Sequence, residues 1–149
     1  MSEPLLPIVA EISIAAPMDK VWQVATGEAT VAGWLGAIDY KAAVGTTFFM
    51  QQDPARRAAR DTEGATWCDV LLLEEPTKFA FSWYLPGTPK TMVQLDLSPD
   101  GPDRTFVRVI HDGWDDFERE AMEEFYEALA RGWQDDVLPR LKKLAESGG

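Results

Sequence analysis

From residue 9 to 14 the chain alternates, with Val9 opposite in parity to Ile12 and Ile14, which predicts a strand. Ala16-Pro17 stops it. Pro17 suits the first position of a helix and Asp19 suits its first turn, so a short helix is expected over 18–25, with Val21, Trp22 and Ala25 inward. A second short helix is expected over 29–35. Turn signals then recur at strand spacing: Gly45, Asp53-Pro54, Gly64, Pro76, Pro86-Gly87 and Ser98-Pro99-Asp100-Gly101. The segments between them, 38–52, 65–74, 78–85, 91–97 and 104–111, read as five strands in meander order, with Gly45 bending the first. Residues 53–64 carry Arg56, Arg57 and Arg60 against three acids and read as a mobile hairpin loop. From 115 to 147 the period becomes helical, through Met122, Phe125, Leu129, Trp133, Val137, Leu141 and Leu144. Pro139 is expected to kink or split that long helix near Gly132.

This order gives an α+β fold: a curved six-stranded antiparallel sheet wrapped around a long C-terminal helix, with two short helices after the first strand. Parity assigns the faces. Phe79, Phe81, Trp83 and Leu85 are expected inward from one strand, Val93, Leu95 and Leu97 from the next, and Leu71 and Leu73 beside them. In the last strand Thr105, Val107, Val109 and His111 are taken as inward, because the other choice points Arg108 at the core. Trp34, Phe48, Phe81, Trp83, Leu95 and Trp133 then either fill the core or line a cavity where the curved sheet fails to close on the helix. Asp69, Val109 and His111 share the inward parity and join them as candidate ligand-binding residues.

Length and charge narrow the classes. The 149 residues, 46% of them hydrophobic and 26% charged, suit one globular domain over 1–149. No run is long and apolar enough for a membrane span, and the N-terminus lacks the basic and apolar regions of a secretory signal, so a cytoplasmic location is expected. One cysteine, Cys68, and one histidine, His111, leave no internal disulfide and no usual zinc site. The net charge of −11 disfavours nucleic acid and anionic lipid surfaces. Residues 112–136 alone carry ten acids against Arg119 and Arg131, most simply a solvated helix face.

Several short segments together carry a resemblance: Ala16-Pro17 followed by Val21-Trp22, Trp34, Val44-Gly45 before Phe48, the block Glu74-Glu75-Pro76-Thr77-Lys78-Phe79-Ala80-Phe81-Ser82-Trp83, then His111-Asp112-Gly113-Trp114 and Gly132-Trp133 with Leu138 and Leu141. Over nearly its full length the chain resembles the START-like, or SRPBCC, superfamily with the birch-allergen helix-grip fold. Within it the chain is most similar to domains related to the activator of a heat-shock-protein ATPase, the Aha type. Thr46 and Cys68 stand where glycine is common in that family. The resemblance implies a hydrophobic cavity between sheet and C-terminal helix that takes lipid-, sterol- or polyketide-like ligands. It does not imply one reaction.

Catalytic chemistry finds few parts. Asp112 follows His111 directly, and neighbours on a strand point to opposite faces, so a His–Asp dyad is poorly supported. His111 suits a core hydrogen-bonding role better than that of a general base. Trp67 and Asp69 flank Cys68 and neither favours a thiolate, so it reads as packing. No phosphate loop, paired-carboxylate motif or serine elbow occurs. The expected function is binding of a small apolar molecule without cofactor or metal, by a monomer or homodimer. The alternatives are a protein-interaction module of the heat-shock ATPase activator type, and a cyclase- or hydrolase-like enzyme using His111.

Overall fold

The computed structural model describes residues 6–51, 53–85, 87–114 and 119–147. The chain runs β1 (Ile8–Ile14), α1 (Met18–Thr26), α2 (Val31–Leu35), β2 (Ala37–Ile38), β3 (Thr47–Met50), α3 (Pro54–Ala58), β4 (Thr66–Glu74), β5 (Lys78–Trp83), β6 (Thr91–Pro99), β7 (Thr105–Asp112), α4 (Arg119–Gly132) and α5 (Leu138–Glu146). The strands form one sheet in the order β1-β7-β6-β5-β4-β3-β2, antiparallel throughout. The expected helix start at 115–118 lies outside the described residues, as does Pro86 of the expected 86–87 turn.

Seven strands replace the six expected because 38–52 is not one strand. Gly36 and Asp39 both adopt positive φ, at 70° and 61°, and turn the chain so that β2 folds back onto β3, pairing Ala37 with Met50. The segment 53–64 is likewise built rather than a bare loop. The Asp53 side chain accepts from the backbone N–H groups of Ala55 and Arg56 and caps α3, which Pro54 opens. Gln51, buried, donates to the carbonyls of Asp61 and Glu63, tying the far end to β3.

The parity reading holds for β6 and β7, where Val93, Leu95, Leu97, Thr105, Val107, Val109 and His111 are all buried. It fails in β4. The pairing with β5 slips between Val70 and Leu72, a bulge that reverses which residues face inward. Cys68 and Val70 point to the core before the bulge, Leu73 packs against it after, and Leu71 is 45% exposed. Leu85, beyond the end of β5, is also exposed rather than inward.

The long helix breaks where Pro139 predicts. Having no N–H, Pro139 cannot bond the carbonyl of Asp135, and α4 passes into a π-helical turn over Trp133–Val137 before α5 resumes. The Leu138 N–H reaches back five residues to the Trp133 carbonyl. The extra residue in that turn keeps Trp133, Val137, Leu138 and Leu141 on the buried side of the break.

Candidate functional site

Three tryptophans surround the single histidine. The His111 ring centroid lies 5.1 Å from Trp83, 4.7 Å from Trp114 and 6.2 Å from Trp133. β7 supplies His111, β5 supplies Trp83 and the π turn supplies Trp133. Trp114 follows Gly113, whose φ is 97°. A Cβ at that position would stand 3.2 Å from the Thr91 Cα, so both the conformation and the space suit glycine alone.

The hydrogen bonds fix the state of the imidazole. An indole N–H can only donate, so Trp133 Nε1–H, 3.2 Å from His111 Nδ1, makes that nitrogen the acceptor. His111 Nε2 therefore carries the proton and donates to Thr91 Oγ1 at 2.7 Å, while the Thr91 hydroxyl donates to the Trp83 carbonyl, also at 2.7 Å. Burial in this apolar nest pushes the His111 pKa down to about 3. Both ring nitrogens are committed, so the ring is held neutral and has no free lone pair for a substrate proton. Asp112 points away, exposed on the other face. His111 acts as a brace: it holds Trp133 directly, and Trp83 through Thr91.

In front of the brace lies an open cleft of about 340 Å³ between the sheet and the C-terminal helix. Met50, Thr66 and Trp83 form one wall, and Leu129, Trp133 and Val137 the other, with Asp136 and Arg140 at its edge. Beside it, across Trp83, an almost wholly apolar hollow of about 260 Å³ is bounded by Leu85, Pro89, Trp114 and Phe125. Phe125 is 42% exposed and stacks obliquely on Trp83 at 5.8 Å.

Of the residues expected to bind ligand, Trp83 and Trp133 meet in the cleft, with His111 behind them. Trp34, Phe48, Phe81, Leu95 and Val109 are packed in the core instead. Trp34 donates to the Ala25 carbonyl, and Phe48 meets Phe81 edge-on at 5.4 Å. Asp69 is a correction: because the β4 bulge lies beyond it, it faces the outer side of the sheet. There its carboxylate accepts from Thr47, Ser82 and Lys90. Partial burial opposes ionisation, yet these donors outweigh it and lower the Asp69 pKa. Cys68 is buried, and burial, followed by the Asp69 charge, raises its thiol pKa well above the usual value. Thr91 was legible as the first inward residue of its strand, and Met50 from sharing the parity of Phe48; Thr66 gave no such signal.

The residues at 15–146 match the family described as activator of Hsp90 ATPase homolog 1-like protein. The chain belongs to this family. A search of curated proteins finds no match. Among solved structures, a protein from Mesorhizobium loti is 26% identical with a TM-score of 0.77, over 97% of this chain and 99% of that one. DynU16, from the dynemicin biosynthetic locus, is 22% identical with a TM-score of 0.73, over 95% of this chain and 48% of its own. The Aha1 dimer of Colwellia psychrerythraea is 21% identical with a TM-score of 0.67, over 97% and 98%. The likenesses under 25% identity concern the fold, a helix-grip arrangement of sheet and C-terminal helix. Among the described residues no group of three or more metal-ligating side chains comes together, and no helix is long and apolar enough to cross a membrane.

Proposed function

We propose that the protein binds a small apolar molecule in the cleft between Trp83 and Trp133. The observation that carries this reading is the pairing of an open, largely apolar cleft with a rigid wall. The Trp133 indole is tied to His111 Nδ1, while the Trp83 ring packs edge-on against the imidazole and its backbone carbonyl accepts from Thr91, so neither is left to collapse into the space. A preformed wall spares a ligand the cost of ordering the site. Asp136 and Arg140 at the edge suit a ligand with one polar end, of lipid-, sterol- or polyketide-like character. DynU16, from a biosynthetic locus, lends support to this class of ligand. His111, already satisfied on both nitrogens, serves binding and not proton transfer, so the reading is of a binding protein rather than an enzyme.

The test uses Nile red, a neutral dye that brightens in apolar surroundings. It should bind at about one site per chain, and Leu129→Trp should abolish the signal. Native mass spectrometry of the purified protein, followed by organic extraction, should recover a bound apolar compound. Absence of dye uptake by natively folded protein would overturn the reading and favour a protein-interaction role, for which the Aha1-type neighbour and the exposed Phe125 and Leu85 provide the support.

A further inference from the structure

The chain carries 25 acidic and 14 basic residues, and several of the basic ones make no ion pair among the described residues. Two of them face one cavity of about 470 Å³, walled by α2, β2, the turns flanking them and α3. It shares no residue with the Trp83–Trp133 cleft. Arg57 is half-buried there, and one Nη donates to the Gln51 carbonyl at 2.9 Å, which fixes the guanidinium and is the only hydrogen bond its five N–H donors make among the described residues. Among the described residues, neither Arg57 nor Lys41 has a carboxylate within ion-pair distance. Arg56, by contrast, pairs with Asp53, Asp61 and Glu63.

The rest of the wall supplies two further features. Val31, Ala37 and Ile38, all buried, give it an apolar floor. At its edge Asp39 and Arg60 form an ion pair, and among the described residues these are the two non-glycine residues with positive φ, at 61° and 57°. Backbone of this kind persists where surroundings over-determine it, and here the two unusual residues hold each other at the cavity's edge.

We propose that this cavity binds a small monocarboxylate with a short apolar tail. The carboxylate sits on the Arg57 fork with Lys41 beside it, and the tail lies on Val31, Ala37 and Ile38. A guanidinium matches the two oxygens of a carboxylate with paired hydrogen bonds. A dianionic phosphate fits less well, because Glu28 and Asp39 also line the cavity and repel a second negative charge.

The probes are hexanoate and inorganic phosphate, followed by amide chemical shifts of the full chain. Hexanoate should move Ala32, Ala37 and Arg57 with one saturating curve, and phosphate should not. Arg57→Gln and Lys41→Gln should each weaken hexanoate by about tenfold, the worth of one charged hydrogen bond. The Lys41 side chain makes no hydrogen bond or ion pair among the described residues, and its carbonyl bond from Thr46 survives substitution, so Lys41→Gln keeps the test open should Arg57→Gln fold poorly. Hexanoate shifts confined to Leu129 and Trp133, undiminished binding by folded Arg57→Gln or Lys41→Gln, or phosphate binding as tight as hexanoate, would each overturn the proposal. Nile red uptake at the cleft is independent of all these outcomes, so the two sites stand or fall separately.

Discussion

The two halves of the C-terminal helix meet the rest of the molecule in opposite ways. α5 packs against α1, α2 and β1, and Leu138, Leu141 and Ala145 are completely buried. Gly33 permits this closeness: a Cβ there would stand 2.9 Å from a Leu144 methyl. Before the break the same helix stands off from the sheet, Leu129 is only partly buried and Phe125 is exposed. The absent side chain at Gly33 lets α5 close inward, whereas the bulky Trp83 and Trp133, packed about His111, prop the other half open. A cleft therefore arises without any loss of amphipathic pattern, from side-chain size and one proline-induced π turn.

The brace depends on a neutral imidazole, and acid tests it with the largest expected effect. Folded His111 has its pKa near 3, against an ordinary value of 6.5. Above pH 6.5 neither folded nor unfolded chain binds the proton, so the full stability is present. As the pH falls from 6.5 towards 3 the unfolded chain takes up a proton that the folded chain refuses. Stability should then drop by about 1.4 kcal/mol per pH unit, about 5 kcal/mol over the whole window. Asp69 and Glu146, whose pKa values are also lowered, add to the loss only in the carboxylate range. Denaturant melts across this range measure the slope, and His111→Gln should flatten it. Because the chain has one histidine, its ring resonances are unambiguous; an ordinary titration near 6.5 in folded protein would refute the brace.

Truncation compares the two halves more directly. Trp133→Ala should cost about 3–5 kcal/mol, since it removes a buried indole and strips His111 Nδ1 of its donor. Leu141→Ala, in the closed half, should cost about 2–5 kcal/mol and leave dye binding intact. Leu129→Ala, in the open half, should cost about 1 kcal/mol or less and weaken dye binding. Urea melts paired with Nile red titration give both readouts. Equal costs at 129 and 141 would mean that the helix closes along its whole length.

Much of this was legible from the chain. Strand parity identified His111 and Trp83 as inward, helical spacing identified Trp133, and Pro139 marked the break. What parity could not reveal was the β4 bulge, because one extra residue leaves the alternation locally intact while exchanging its faces. For that reason Leu71 and Asp69 lie on the face opposite to the one parity assigns. Nor could parity separate cavity from core, since Trp34, Phe48 and Phe81 are as apolar as the residues bordering the cleft. That distinction depends on how closely elements approach, which residue size at Gly33 and Trp133 sets in three dimensions. The capped helix at 54–58 was marked by Asp53-Pro54, but a turn uses the same pair, and only the Gln51 and Arg57 bonds show that it is ordered.

The smallest expected change in stability belongs to the substitution that should change binding most. Val109 and Leu95 are fully packed, so a tryptophan at either should strain the core by about 1–3 kcal/mol or more without entering the cleft. Leu129 borders the open cleft of about 340 Å³, which leaves room for a larger side chain at that position. Leu129→Trp should therefore change stability by less than about 1 kcal/mol, because the indole gains apolar contact with Trp83 and Val137 as it fills the cleft. Nile red signal should vanish in the same protein. A cooperative melt near that of the unaltered chain, together with lost dye binding, ties binding to the open half alone. Dye binding that survives Leu129→Trp would instead point to the hollow beside Phe125 as the true receptor.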